Sequence, residues 1–311
     1  MSDRLDRSWP PPTPYDLHRS LSVLGRGPYD PAFHAERDGT LWRATRTPQG
    51  AATLRLVPGD RIHATAWGPG AAWVLESLPA LLGAADDPDA FAPRHRLVAE
   101  ALRRHGGLRL IRTGLVLESL IPSILEQRVT THEAYRAWRL LLRRFGEPAP
   151  GPGSGSPDLR GMPELYVMPE PRVFARIPSW EWHRAGVDGQ RSSAVLRAVR
   201  LARRLEEATT MELPEAIARL RAVPGVGPWT AAETLQRSNG APDAITVGDL
   251  HLPGIIGYAL TGARGADDAR MLELLAPYAG QRYRAARLIL LTGRAPARRT
   301  PRMPRMDIAR L

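Results

Sequence analysis

The segment Leu213–Leu235, LPEAIARLRAVPGVGPWTAAETL, holds the densest candidate for binding chemistry in the chain. Gly225 and Gly227 leave the backbone bare in the turn Val223-Pro224-Gly225-Val226-Gly227, so a bound group can approach their amides closely. Together with the amides that open a following helix they make a donor set suited to a phosphate, and Thr230 adds a hydroxyl. An ordinary turn between two helices, with glycines for geometry alone, is the plain alternative. Downstream, Ala244–Pro253 reads AITVGDLHLP and places Asp249 after Gly248, where a helix can begin. A carboxylate there can stabilise the positive charge that develops on a sugar as its N-glycosidic bond breaks, or orient and deprotonate a water. It can equally be the N-cap of that helix. His251 is a phosphate contact or a structural histidine, and Glu233, on the helix face of Trp229, lines a pocket or pairs with Arg237. None of the 8 His stands at metal-ligand spacing from another, so no zinc site is expected.

The elements that must position these groups follow from prolines and periodicity. Pro224 stops the helix Leu213–Arg221, and Pro228 suits the first turn of the helix Trp229–Arg237, where a missing N–H is harmless. Apolar residue, Pro, Gly, apolar residue, Gly, then small helix formers is the helix–hairpin–helix signature of sequence-independent DNA binding, here over 213–237. In such hairpins backbone carbonyls hold a monovalent cation, Na or K, and by position these belong to Arg221, Val223 and Val226. Helical spacing runs almost throughout from Phe91, over Arg94–His105, Glu118–Val129, His132–Phe145, Val195–Glu207, Leu250–Leu260, Ala269–Tyr278 and Tyr283–Thr292. Between Tyr15 and Asp86 the pattern is mixed. Thr40–Arg46 alternates like a strand, Ala51–Pro58 and Arg61–Trp67 form a hairpin about Pro58-Gly59-Asp60, and Ala71–Leu82 is helical. The expected organisation is a flexible leader over 1–14, an α/β domain over 15–110, a helical region over 111–293 and an Arg/Pro-rich tail over 294–311. Glu147–Pro163 is a low-complexity loop between helices.

Composition narrows the chemistry. With 311 residues, 24% charged and 43% hydrophobic, the chain is long enough for one large or two modest domains. No apolar run approaches the roughly 18–20 residues of a membrane span, and a soluble cytoplasmic protein is expected. Cys is absent, which removes disulfides, thiolate nucleophiles and Cys-ligated metal or iron–sulfur centres. Lys is absent too, so all 43 basic side chains are Arg and no side-chain amine can form a Schiff base. A net charge of +11, carried by guanidinium forks that bind phosphate bidentately, favours nucleic acid as the partner over an acidic membrane surface.

Hairpin plus downstream Asp resembles the helix–hairpin–helix DNA glycosylase superfamily, most closely the bacterial 3-methyladenine DNA glycosylase II branch. Glu118–Thr130, ESLIPSILEQRVT, is similar to a helix and loop of that family, with Gln127 at a recurrent Gln, and Tyr15–Asp86 resembles its N-terminal TATA-binding-protein-like α/β layer. The resemblance implies a mainly α fold and a monomer that binds damaged double-stranded DNA near the bacterial nucleoid. It implies a base-excision enzyme for alkylated purines that requires no cofactor. By position it makes Asp249 the catalytic aspartate, and gives phosphate binding to Gly225, Gly227 and Thr230 and base stacking to Trp229. Because the strand-cleaving members carry a catalytic Lys where Trp229 stands, it also implies base removal without strand cleavage. Arg128 falls where the alkylpurine enzyme has an apolar wedge, and Glu233 where it has a pocket Tyr. Gln281, with Tyr278 nearby, takes the place of a second pocket Trp. The implied pocket is more acidic and less aromatic, which suits cationic bases. A glycosylase for other damaged or mismatched bases and a non-catalytic damage-binding protein remain the alternatives.

Overall fold

A computed structural model describes residues 4–151 and 164–297. The three strands expected from the sequence and two that were not, β1 and β2, assemble into one antiparallel sheet of order β1-β5-β4-β3-β2. These are β1 Arg4–Trp9, β2 Phe33–Ala35, β3 Leu41–Thr47, β4 Gly50–Val57 and β5 Ile62–Trp67. The hairpin expected about Pro58-Gly59-Asp60 joins β4 to β5, with Val57 opposite His63. Leu54, Leu56, Ile62, Ala64 and Ala66 are buried beneath α1 (Leu17–Leu21), α2 (Ala71–Glu76) and α3 (Leu78–Leu81). This is the α/β layer expected near the N-terminus. The expected flexible leader is corrected over 4–9. Arg4–Trp9 pairs with β5 as an edge strand, because an exposed, charged strand completes the sheet without needing an apolar face.

The rest is helical. In chain order come α4 Arg96–Arg104, α5 Val116–Leu125, α6 Thr131–Phe145, α7 Pro171–Phe174, α8 Ser179–Arg184 and α9 Gly189–Arg200. They are followed by α10 Ala202–Glu206, α11 Leu213–Arg221, α12 Pro228–Ser238, α13 Leu252–Thr261, α14 Asp268–Leu275 and α15 Arg282–Leu291. The largest core surrounds α5, whose residues are almost all buried, and joins α6, α9, α11 and α12. A separate core holds α13, α14 and α15. The expected boundary at 110 is corrected by α4. Val98 and Ala101 pack with Ile256, Met271 and Leu288, so the stretch from Phe91 to Leu108 belongs with the C-terminal helices, while Ile111 returns to the core beneath the sheet. Glu147–Pro148 pairs with Tyr166–Val167 in a short ribbon (β6, β7), which takes the first residues of the expected loop. The tail from 298 lies outside the described residues. No helix among the described residues is long and apolar enough to cross a membrane.

Two features aim this scaffold at the hairpin. The carboxylate of Glu206 accepts the amides of Val116 and Leu117 at 2.7 and 2.9 Å and so caps α5. Packing of α12 against α5 then brings the loop after α5, residues 126–129, beside the turn before α12.

Candidate active site

The hairpin forms as predicted: α11, a turn, and α12 opened by Pro228. Gly225 has a left-handed φ of 97°, and a Cβ there would lie 2.8 Å from the Cβ of Ala194, so a side chain is excluded both by conformation and by the closeness of α9. Gly227 is the N-cap of α12 with φ −91° and has open space about it. The amides of Gly225, Gly227, Trp229 and Thr230 donate to no acceptor among the described residues. Four bare donors at the positive end of an eleven-residue helix are a ready anion site. The carbonyls of Arg221 and Val226 accept nothing there either, while Val223 O accepts the Val226 amide at 2.9 Å. Three such neutral hard oxygens suit a group 1 cation better than a divalent ion, which favours carboxylate ligands.

Thr230 differs from its expected role. Its side chain lies on the inward face of α12, 2% exposed, and its hydroxyl accepts Gln127 Nε2 at 2.8 Å. Thr230 therefore offers its amide, not its hydroxyl. Gln127 also donates to Gly225 O at 2.9 Å, so it fastens the 126–129 loop to the hairpin and is not itself free for a ligand through that amide. The same loop is held by Arg26 on Glu126 at 2.5 Å and by Arg191 on Leu125 O at 2.9 Å. Arg128 stands exposed at its tip and is the one non-glycine residue with positive φ, 54°, among those described. A backbone that unfavourable persists only where its surroundings over-determine it, and three clamps do so here.

Asp249 reaches the start of α12 from the far side. Gly248, at φ 84° with its amide on Asp268 Oδ2 at 2.9 Å, turns the chain into it. Oδ1 accepts the amides of His251 and Leu252, both at 2.8 Å, so Asp249 satisfies the start of α13 from two residues before its N-cap, which is His251 and not Asp249 as the alternative reading of the sequence had it. Oδ2 accepts Trp229 Nε1 at 3.0 Å. The helix start and the indole therefore share one half-buried carboxylate. Burial raises its pKa, but the Trp229 hydrogen bond, the Leu252 and His251 amides and the His251 imidazole together outweigh burial and hold it below the ordinary carboxylate value. The group is an anion at neutral pH. His251 itself is exposed.

Glu233 lies on the Trp229 face but is not a free pocket acid. Oε2 pairs with Arg237 Nη1 at 2.8 Å and Oε1 accepts the Thr246 hydroxyl at 2.8 Å. Gln236 Nε2 donates to Ala244 O and Thr246 Oγ1, both at 2.8 Å. Thus α12 grips the extended segment leading to Asp249 at 244 and 246 and Asp249 itself through Trp229. Sequence reasoning missed Gln236 and Thr246. Two polar residues on otherwise apolar segments, both bound for burial, were the available signal. Tyr278 is corrected as a pocket residue. Tyr278 is 3% exposed, stacked on Phe91, and its hydroxyl serves the Arg94 and His95 amides. Gln281 is the N-cap of α15 and accepts Arg284 Nε at 2.9 Å. Tyr278 thus meets a need of its own core. Tyr283, one helix position beyond Arg282, is buried near the Arg237 guanidinium.

No family model matches the sequence, and no curated protein is similar enough in sequence to serve as a relative. Solved structures are alike, two of those that follow over nearly the whole chain and one over about two thirds of it. The 3-methyladenine DNA glycosylase of Archaeoglobus fulgidus has a TM-score of 0.72 at 17% identity, covering 91% of this chain and 97% of that one. The 8-oxoguanine glycosylase/lyase of Clostridium acetobutylicum, in complex with DNA, gives 0.70 at 12% identity over 94% and 97%. The 3-methyladenine DNA glycosylase of Schizosaccharomyces pombe, bound to abasic DNA, gives 0.51 at 18% over 64% and 92%. The chain has the helix–hairpin–helix DNA glycosylase fold, with an antiparallel sheet near its N-terminus.

Proposed function

We propose that this chain is a monofunctional DNA glycosylase that hydrolyses the N-glycosidic bond of alkylated purines, of the 3-methyladenine and 7-methylguanine type, in base excision repair. One observation carries the proposal: an ionised carboxylate, Asp249, is hydrogen-bonded to the indole that opens the very helix whose first amides are unpaired. A nucleotide whose phosphate sits on Gly225, Gly227, Trp229 and Thr230 therefore presents its sugar to Asp249. The carboxylate stabilises the oxocarbenium character at C1′ as the C1′–N bond breaks and the electron pair leaves with the base. Water then bonds to C1′ and gives up its proton to Asp249 or solvent.

Purines alkylated at N3 or N7 are cationic and depart without prior protonation. Extrusion from the duplex costs a few kcal/mol, least for weakly stacked damaged bases, and stacking on the Trp229 face returns about 1–3 kcal/mol. Arg128 fills the gap left behind, where its guanidinium also hydrogen-bonds. Because Glu233 is paired with Arg237, the expected preference of its charge for cationic bases is largely neutralised. With no Lys in the sequence the DNA strand is left uncut at the abasic site. A Na or K ion on Arg221, Val223 and Val226 would bridge the turn to the phosphate, and the enzyme acts as a monomer on double-stranded DNA.

A glycosylase for oxidised bases is the second possibility, favoured by the polar wall that Glu233 and Arg237 give α12 beyond Trp229. Incubating the protein with duplexes carrying single lesions and measuring free base decides between them. Release of methylated purines with intact strands is expected. Release of 8-oxoguanine alone favours the second possibility, and release from no lesion leaves a DNA-binding protein.

A further inference from the structure

Helix α9 backs the hairpin turn with two side chains one turn apart, Ala194 and Arg197. Ala194 is small enough to let the Gly225 backbone come close, since a Cβ on Gly225 would meet its Cβ at 2.8 Å. The exposed Arg197 reaches the turn itself. Its Nη1 donates to Pro224 O at 3.2 Å and lies 4.0 Å from that same Cβ position. The carbonyl it holds belongs to the same peptide as the Gly225 amide, which donates to no acceptor among the described residues. That peptide is trans, so its C=O and N–H point in opposite directions. The guanidinium therefore stands behind a donor that is left bare, and an anion hydrogen-bonded to that donor lies ~8 Å from it across the peptide. On the next peptide, Gly225 O is taken by Gln127 at 2.9 Å. Both carbonyls flanking Gly225 are thus occupied by side chains from outside the hairpin, while its amide is not.

We propose that Arg197 is a positioning residue of the phosphate site, which extends the DNA grip from the hairpin to α9. The proposal rests on the reading above for the identity of the anion, a phosphate of the DNA backbone. Three effects act in one direction. Holding Pro224 O fixes the plane of the peptide and with it the direction of the Gly225 N–H. Donation to a carbonyl polarises its peptide and strengthens the N–H at the other end, by on the order of 10–30%. The positive charge also stands within one Debye length of the anion, about 8–10 Å at ordinary salt. An exposed charge alone is worth little, so the three together are expected to raise DNA affinity by about three- to tenfold. Arg200, exposed one turn further along α9, carries the same charge without a hydrogen bond to the hairpin and serves as the comparison.

The test measures the affinity of the full-length protein for a duplex carrying an abasic-site analogue, by fluorescence anisotropy at several salt concentrations. Arg197→Met is expected to lose about three- to tenfold at low salt, and the loss should shrink as salt rises, flattening the log–log slope by less than the roughly 0.9 of a direct phosphate contact. Arg197→Lys, which keeps the charge and a donor, should recover most of the affinity and the slope. Arg200→Met should lose less than about twofold. Melting curves verify that all three variants fold, as expected for exposed positions. Unchanged affinity in Arg197→Met overturns the proposal. So does a loss that salt leaves undiminished, which marks a purely structural role, and so does an equal loss in Arg200→Met, which marks charge without regard to place. In each of these cases the unaltered protein still binds DNA and the reading above stands. Failure of the unaltered protein to bind the duplex removes that reading and the proposal with it.

Discussion

Two turns in this molecule share a backbone and differ in one residue's chemistry. Before α9 the chain runs Gly186-Val187-Asp188, and before α12 it runs Gly225-Val226-Gly227. Both begin with a left-handed glycine, at φ 82° and 97°, continue with a buried valine, and end on the N-cap of a helix. In the first, Asp188 Oδ1 accepts the amides of Gln190 and Arg191, each at 2.9 Å, and Arg191 satisfies Leu125 O and Gly186 O. In the second the cap is glycine and the helix amides stay bare. Helix starts are normally satisfied by their own side chains. A turn that satisfies itself is a joint. One that does not is poised for an outside anion.

The comparison can be broken by exchanging the caps. Gly227→Asp is expected to fold, since φ −91° and open space tolerate a side chain, and to gain about a few tenths of a kcal/mol from the new cap. DNA affinity should fall by about ten- to a hundredfold, as a carboxylate now occupies the amides meant for phosphate. The log–log salt slope should flatten by roughly one, as measured by anisotropy titrations at several salt concentrations. The converse change, Asp188→Ala, should lower stability by about 1–2 kcal/mol, because a cap and the partner of buried Arg191 are lost together. DNA affinity should stay within about twofold. An equal loss of affinity in both variants would dissolve the distinction between the two turns.

The smallest effect sharpens the link between turn and carboxylate. Asp249 is held below the usual carboxylate range, so its ionised form, with the stability it brings, is present at neutral pH and lost as pH falls through that depressed value. Trp229→Phe removes one of the hydrogen bonds that lower it. The acid limb of the excision rate should therefore move to higher pH, whatever the change in plateau rate, and an unmoved limb would mean that the indole does not hold Asp249.

Much of this was legible in the residues. Proline positions fixed both ends of the hairpin because a missing N–H and a fixed φ act locally. Asp249 stood out for the same reason: Gly248 and a helix start define it within a few residues. The extent of α4 in the C-terminal core, the edge strand at 4–9, and the burial of Tyr278 were not legible, since each is decided by a partner far along the chain. Glu233 was ambiguous between pocket and ion pair until Thr246 supplied its second partner.

The most direct test of the account pairs two readouts on one variant, Asp249→Asn. Single-turnover release of 7-methylguanine should fall by about a hundred- to a thousandfold or more, the scale of losing one preorganised electrostatic contact in a transition state. Affinity for abasic DNA should remain within a few-fold of the unaltered protein, because the hairpin amides and the 126–129 loop are untouched. Release that persists at a near-normal rate would contradict the assignment of Asp249.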